Sequence, residues 1–378
     1  MAHTIIEGFS SMEDPRIDRK KLYPLIEIIF LTITAVVSGA DHFTDISIFG
    51  EANLRWLRKY LPYTNGIPSH DALGYFFSRL DPQAFKERFI EWIQSVATVT
   101  KGEIVAIDGK TLRGSYDTYG NKSAIHMISA WANNARLVLG QRKVDDKSNE
   151  ITAIPELLSM LDLSGCIVTI DAMGCQKEIA KTIRSKGADY VLALKGNQGN
   201  FHEQVAEFFE DQCEREFADY CDSEAMGSYK TVERDHGRVD VREYWIVSDI
   251  DWLEEKKGWE GLQAIGCARL TSTQGEKTSC ENRYYITSSA LPAKTFGEAV
   301  RGHWGIENRL HWVLDVGFRE DDSRVRKGEA ADNFGVIRHI CMNLLKQEHS
   351  FKRGIKGKRY RAAMDENYRE KVLFEGLF

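Results

Sequence analysis

The stretch Ile104-Val105-Ala106-Ile107-Asp108-Gly109-Lys110 decides the fold of this chain. Its four consecutive apolar residues, three of them β-branched, predict a strand buried on both faces, and a carboxylate follows where that run stops. The same pattern returns at Ile167-Val168-Thr169-Ile170-Asp171. Two buried strands that each end on an aspartate are typical of an open α/β sheet that places two ligand groups in one crevice. The alternative is that each aspartate caps the turn or helix that follows it.

The bulk properties are those of an ordinary soluble protein. A length of 378 residues predicts two or three domains, and 43% hydrophobic and 28% charged residues are normal for a globular chain. The N-terminus lacks the pattern of a signal peptide, and the most apolar stretch, 28–40, is too short to span a bilayer. Seven cysteines, an odd number without paired spacing, argue against a disulfide scaffold or a zinc site. These features predict a cytoplasmic protein without a membrane partner.

Changes in the apolar pattern divide the chain into five segments. Helical spacing in the first segment, with Ser69 as a predicted N-cap, leaves two readings open: a packed bundle, or a helix-turn-helix that contacts DNA. The predicted segments are an all-helical N-terminal domain at 1–99, strands followed by alternating helices and strands at 100–220, a β-rich insertion at 221–290, helices at 291–349 and a basic C-terminal tail at 350–378.

A third carboxylate lies in the helical stretch His303-Trp304-Gly305-Ile306-Glu307-Asn308-Arg309-Leu310-His311. Helical spacing places His303, Glu307 and His311 on one face, but the HExxH zinc pattern is absent. Large apolar neighbours predict that Glu307 needs a positive partner. That partner is either Arg301 or Arg309, or a hard cation shared with Asp108 and Asp171. Three carboxylates without a thiolate suit Mg²⁺.

Charge is distributed unevenly along the chain. The net charge of −6 speaks by itself against a nucleic-acid partner, but residues 323–361 contain eleven Lys and Arg against three acids, and residues 203–224 contain nine acids against one Arg. Such separated fields predict a basic face for phosphates. The turn 233–238, which includes His236, is either a DNA contact or a plain hairpin turn. The candidates to hold DNA phosphates are Lys110, Arg113, Lys195, Arg238, Arg301 and Arg309.

Three motifs, taken in order, resemble the DDE transposases of bacterial insertion sequences, and most of all their H-repeat-associated group. The motifs are Ala106-Ile107-Asp108-Gly109-Lys110, Thr169-Ile170-Asp171-Ala172-Met173-Gly174 and His303-Trp304-Gly305-Ile306-Glu307-Asn308. The resemblance covers nearly the whole chain and implies an α/β fold with a ribonuclease-H-like core interrupted by the β-rich insertion. It also implies Asp108, Asp171 and Glu307 as the catalytic triad, two Mg²⁺ or Mn²⁺ ions, and a homo-oligomer acting on double-stranded DNA at terminal inverted repeats and target DNA.

The sequence departs from this family at the residues that flank the glutamate. Related transposases with a β insertion often place Tyr, Arg and Lys there, whereas this chain has Val300, His303 and Leu314. Arg301, His303 or Arg309 is therefore expected to grip the terminal phosphate. The expected activity is metal-dependent DNA strand cleavage and strand transfer. The alternatives are a retained, non-catalytic DNA-binding derivative and a metal-dependent nuclease without strand transfer.

Overall fold

The computed structural model describes residues 5–17, 19, 21–97, 99–116, 124–144, 150–220, 223–235 and 237–375. The helices are α1 Ile5–Ser10, α2 Leu25–Val37, α3 Phe43–Leu57, α4 His70–Phe77, α5 Pro82–Val96, α6 Glu150–Met160, α7 Lys177–Ser185, α8 Asn200–Glu214, α9 Ala293–Ile306, α10 Trp312–Phe318, α11 Ala330–Gln347, α12 Ile355–Met364 and α13 Glu366–Phe374. The strands are β1 Ile104–Leu112, β2 Ile125–Ala132, β3 Leu137–Val144, β4 Ile167–Ile170, β5 Asp189–Leu194, β6 Met226–Asp235, β7 Arg238–Val247, β8 Ala264–Gln274 and β9 Lys277–Thr287. The expected mixed α/β class is confirmed.

The chain forms two compact units that the sequence crosses more than once. Unit 1 comprises residues 1–99, 109–149 and 307–378, and unit 2 comprises residues 100–108 and 150–306. The first half of β1 therefore belongs to unit 2 and its second half to unit 1.

Helix α11 forms the centre of unit 1, because every residue from Ala330 to Leu345 is buried. It contacts α2, α5, α12 and β3. Asn343 on this helix bonds both backbone groups of Val138 in β3, at 2.8 and 2.9 Å. A buried ion pair joins Lys86 of α5 to Asp332 of α11 at 2.6 Å. The core of unit 1 is thus apolar packing fixed in register by a few buried polar contacts.

The described part of the N-terminal segment expected to be all-helical contains helices α1 to α5. Ser69 caps α4 as predicted, since its hydroxyl accepts a hydrogen bond from the backbone N–H of Ala72 at 3.3 Å. Phe76 and Phe77 of α4 are buried. The apolar stretch 28–40 falls mainly in α2, a buried helix. Among the described residues no helix is long and apolar enough to cross a membrane.

The stretch expected to form a basic tail folds instead into α12 and α13. Arg359 is buried and donates hydrogen bonds to the carbonyl of Val36 at 2.8 Å, the carbonyl of Ala40 at 2.9 Å and the carboxylate of Asp41 at 2.9 Å. Arg369 is also buried. These guanidinium groups serve the packing of unit 1, and their charge does not reach solvent.

Unit 2 contains most of a large sheet, in the strand order β1-β4-β5-β9-β8-β7-β6. Strands β1, β4 and β5 run parallel, and β9 pairs antiparallel with β5 through Val191 and Thr287. The predicted β-rich insertion therefore continues the sheet edge to edge. Helix α9 packs on this sheet through Phe296, which meets the rings of Tyr244 and Tyr285.

Candidate active site

Asp108 lies within β1, which continues to Leu112 and so does not end at the aspartate, and Asp171 directly follows β4; both belong to unit 2. The register pairs Ala106 with Thr169 and Ile107 with Ile170, so the two aspartates are the next residues on each strand. Neighbouring strands lie about 4.8 Å apart, and side chains in register point to the same face. Both aspartates are half-buried. The sheet therefore presents two carboxylates side by side.

Asp171 also shapes the turn that follows β4. Its Oδ1 accepts hydrogen bonds from the backbone N–H groups of Met173 at 3.1 Å and Gly174 at 3.2 Å. A side chain at position 174 would lie 2.2 Å from Cγ2 of Ile170, so only glycine fits there. Within the described chain, Oδ2 of Asp171 accepts no hydrogen bond. Asp171 therefore caps the turn through Oδ1, as the capping alternative predicts, while Oδ2 could still bind a ligand.

The loop after β5 is tied to the loop after β4. The side-chain amide of Asn197 donates to the carbonyl of Ala172 at 2.8 Å, and that of Gln198 donates to the carbonyl of Cys175 at 2.7 Å. Lys195 directly follows β5 and is exposed. Because β1, β4 and β5 are parallel, Lys195 lies at the same edge of the sheet as the two aspartates. Sequence reasoning missed Asn197 and Gln198, since amide contacts to backbone leave no spacing signal.

Helix α9 brings His303 to the residues beside Asp171. Nδ1 of His303 lies 3.2 Å from the hydroxyl of Thr169, which precedes Asp171 by two residues and so points to the same face of β4. Burial lowers the pKa of His303, although the nearby Asp171 carboxylate opposes the shift. The lowered pKa favours the neutral imidazole, so His303 is less suited than an arginine to hold a phosphate.

Glu307 begins a π-helical turn, Glu307–His311, in unit 1. It is exposed, so the expectation of a carboxylate enclosed by apolar residues is wrong; Trp304 and Trp312 are also exposed, by 43% and 60%. Glu307 makes no ion pair or hydrogen bond with any described residue. The alternative partner Arg301 binds Glu233 instead, at 2.9 Å. A π turn inside a helix is uncommon and often marks a functional position.

His311 ends the π turn that Glu307 begins. His311 is buried, and burial lowers its pKa to about 4, with the charge of Lys110 acting in the same direction. The two side chains therefore differ in exposure, since Glu307 is exposed and His311 is buried.

The expected phosphate-holding residues differ in what they contact. Lys110 is largely buried and bonded to Asp315 and to Glu320, the latter at 2.9 Å, which differs from a phosphate contact. Although burial opposes it, Glu320 and Asp315 raise the pKa of Lys110. Arg309 is exposed, and His236 lies outside the described residues. Three further candidates carry acidic partners: Arg113 with Asp321 at 3.7 Å, Arg238 with Asp240 at 2.9 Å, and Arg301 with Glu233.

The donor chemistry of the aspartate pair suits a hard divalent cation. Asp108 and Asp171 offer carboxylate oxygens, and the cysteine nearest in sequence, Cys175, is buried with a strongly raised pKa caused by that burial. Across the described ranges, no group of three or more His, Cys, Asp or Glu side chains is gathered as a metal site. Unit 2 thus supplies two neighbouring carboxylates, the ligand type that a hard divalent cation accepts.

Comparison with known proteins gives two family matches that together cover most of the chain. The family described as Transposase DDE domain matches residues 100–344, and the family described as DDE_Tnp_1-associated matches residues 6–93. A solved structure, the piggyBac transposase synaptic complex with hairpin DNA, is 11% identical with a TM-score of 0.43, over 98% of this chain and 76% of that one.

Two relatives match along nearly their whole length. The putative transposase YncI of Escherichia coli O157:H7 is 44% identical over 98% of this chain and 94% of its own. The H repeat-associated putative transposase YhhI of Escherichia coli (strain K12) is 42% identical over 98% of this chain and 97% of its own. The chain therefore belongs to the DDE transposase family, alongside H repeat-associated relatives.

Proposed function

We propose that this protein is a cytoplasmic transposase that binds insertion-sequence ends and catalyses metal-dependent DNA strand cleavage and strand transfer. The observation that carries the proposal is that Asp108 and Asp171 each directly follow the last in-register pair, Ile107 and Ile170, of two neighbouring parallel strands. Family membership supports the same conclusion. Within this proposal, the strands and helices around the two aspartates form a ribonuclease-H-like core, and α1 to α5 contribute to binding DNA ends.

Asp108, Asp171 and Glu307 are the residues proposed to hold two Mg²⁺ or Mn²⁺ ions. Such ions, when bound, stabilise the charge on the attacking and leaving oxygens of an in-line phosphoryl displacement. The free Oδ2 of Asp171 and the exposed carboxylate of Glu307 fit this role, because neither is committed to a described cation. The three side chains are oxygen donors, which is the ligand type that Mg²⁺ prefers.

Other residues of the chain are proposed to bind and orient the DNA. Lys195 and Arg309 are exposed and suited to backbone phosphates. Arg113, Arg238 and Arg301 would exchange exposed carboxylate partners for phosphate. His303, whose lowered pKa favours the neutral form, would act through its hydrogen bond to Thr169 and hold α9 against β4 beside Asp171. Double-stranded DNA is the proposed partner, bound by a homo-oligomer.

The test is incubation of the protein with labelled duplexes that carry the element's terminal inverted repeats, with Mg²⁺ or Mn²⁺. We expect nicked ends and products joined to target DNA. Asp108→Asn and Glu307→Gln should abolish cleavage while binding to the end duplex survives. Asp162→Asn is the control, because it removes the charge of a carboxylate outside the proposed site: Asp162 precedes β4 and accepts a hydrogen bond from the backbone N–H of Ser164 at 3.3 Å. It should cleave like the wild type.

The products separate the alternatives. Nicked ends without joined products would indicate a nuclease, and end binding without cleavage by the wild type would indicate a non-catalytic DNA-binding derivative. Equal cleavage by the wild type and both variants would overturn the proposed triad. The mass of the protein–DNA complex by light scattering gives the number of copies bound per end.

A further inference from the structure

A buried charge cluster in unit 1 consists of Lys110, Asp315, Glu320 and Arg338. The ammonium of Lys110 donates to Asp315 and to Oε2 of Glu320, and Nη1 of Arg338 lies 3.6 Å from Oε1 of Glu320. The side chains of Glu320 and Arg338 are only 2% and 3% exposed, and that of Lys110 is 13% exposed. The two carboxylate oxygens of Glu320 thus each face a different cation.

Stability alone does not account for this cluster. A buried ion pair is often no more stabilising than apolar side chains of the same volume, because both charges lose their hydration. Such a pair does restrict geometry, because each charged group accepts only a narrow range of positions for its partner. The cluster therefore fixes the relative placement of the chain segments that carry its members.

Those segments adjoin two of the proposed metal ligands. Lys110 lies on β1, two residues after Asp108. Asp315 lies on α10, the helix that directly follows the π turn beginning at Glu307. His311 of that turn lines a small pocket together with Lys110, Glu320 and His339. The pocket therefore borders the cluster.

We propose that Lys110 and Glu320 are positioning residues for metal binding, which act by fixing the second half of β1 and the helix after the π turn. This inference rests on the proposed function, because it assumes that Asp108 and Glu307 are metal ligands. Neither Lys110 nor Glu320 is proposed to touch metal or DNA. Residues that orient metal ligands from outside the coordination sphere change metal affinity by about 10- to 100-fold when replaced.

The experiment measures Mn²⁺ binding to the full chain by electron paramagnetic resonance, with strand cleavage as a second readout. The decisive variant is Lys110→Met with Glu320→Gln, which removes the Lys110–Glu320 charge pair at nearly constant volume. We expect it to stay folded, with Mn²⁺ affinity about tenfold or more below the wild type. Lys110→Arg retains a cation for the carboxylates of Asp315 and Glu320, so this variant should keep most of the wild-type Mn²⁺ affinity.

The matched control is Lys86→Met with Asp332→Asn, which removes another buried ion pair of unit 1, one with side chains 5% and 1% exposed. It should change the melting temperature and leave Mn²⁺ affinity as in the wild type. Wild-type Mn²⁺ affinity in the Lys110→Met, Glu320→Gln variant would overturn the inference and leave the proposed function intact. If Asp108→Asn leaves Mn²⁺ affinity as in the wild type, both the inference and the proposed function are overturned. Mn²⁺ binding without strand cleavage would overturn the proposed activity alone.

Discussion

Thr169 and His303 lie 134 residues apart in the sequence, yet the hydroxyl of one is 3.2 Å from Nδ1 of the other. This hydrogen bond joins α9 to β4 within unit 2. Because Thr169 and Asp171 point to the same face of the strand, the bond also fixes the surroundings of a proposed metal ligand. It is a long-range contact that no local spacing could predict.

Replacing Thr169 by Val should weaken unit 2, because the half-buried Nδ1 of His303 would lose its partner. We expect the free energy of unfolding to fall by about 1–3 kcal/mol. Urea denaturation followed by fluorescence measures this change. Thr278→Val is the matched control, since Thr278 shares an exposed hydroxyl–hydroxyl contact with Thr273 at 3.1 Å. A loss of equal size in the control would contradict the role given to Thr169.

Two replacements of Asp171 separate its capping role from its proposed metal role. Asp171→Asn keeps an oxygen that can accept from Met173 and Gly174, so its stability should stay near that of the wild type. Asp171→Ala loses both hydrogen bonds and should cost about 1 kcal/mol. Both variants should lose strand cleavage, because both lose the carboxylate charge. Cleavage by Asp171→Asn at the wild-type rate would reduce Asp171 to a structural cap.

Acidification should destabilise unit 1 through His339. Burial lowers the pKa of this residue to about 4, further helped by Lys110 and Arg338. The unfolded chain, where histidine has a pKa of about 6.5, takes up a proton first as the pH falls. The contribution is therefore complete above pH 6.5 and declines toward pH 4. By pH 5 we expect a loss of about 2 kcal/mol from this residue.

The pH prediction is checked by urea denaturation of the wild type and His339→Gln at pH 7 and pH 5. The variant should lose less stability over this interval than the wild type. A variant that loses as much stability as the wild type between pH 7 and pH 5 would mean that folding leaves the pKa of His339 unshifted.

Arg301→Ala should weaken binding to DNA while leaving stability almost unchanged. Its ion pair with Glu233 is exposed, with side chains 48% and 50% accessible, and such pairs contribute little to folding. If Arg301 contacts a phosphate, its loss should reduce the slope of log affinity against log salt by about one. Fluorescence anisotropy with end duplex at several salt concentrations measures the slope. Lys256→Ala, which removes the Lys256–Asp251 surface pair, is the control and should leave it unchanged.

The elements that sequence patterns predict well are those decided by local physics. The apolar runs before Asp108 and Asp171 predict β1 and β4, and their in-register pairing follows from the parallel sheet. Ser69 was predicted as a cap because a serine before a helical pattern satisfies an N–H that would otherwise lack a partner. The β-rich insertion expected at 221–290 contains strands β6 to β9.

The elements that the sequence did not predict depend on distant partners or on small backbone deviations. Lys110 was expected to face phosphate, but its partners Asp315 and Glu320 lie more than 200 residues away in the chain. The basic stretch after position 350 was expected to be solvated, whereas Arg359 finds carbonyl partners inside unit 1. The π turn at Glu307 has no local signal, because the same residues also fit an α-helix.

That π turn limits how the chain can change in length. It holds one residue more than the α-helical turn that it replaces, so deleting a single residue there would leave a regular helix with stronger backbone bonding. Because the π turn absorbs the extra residue, the side chains after it, including Leu314 and Asp315, would keep their directions around the helix axis. Relatives that lose a residue in this helix are thus expected to lose it within the turn Glu307–His311 and to keep Asp315 on Lys110.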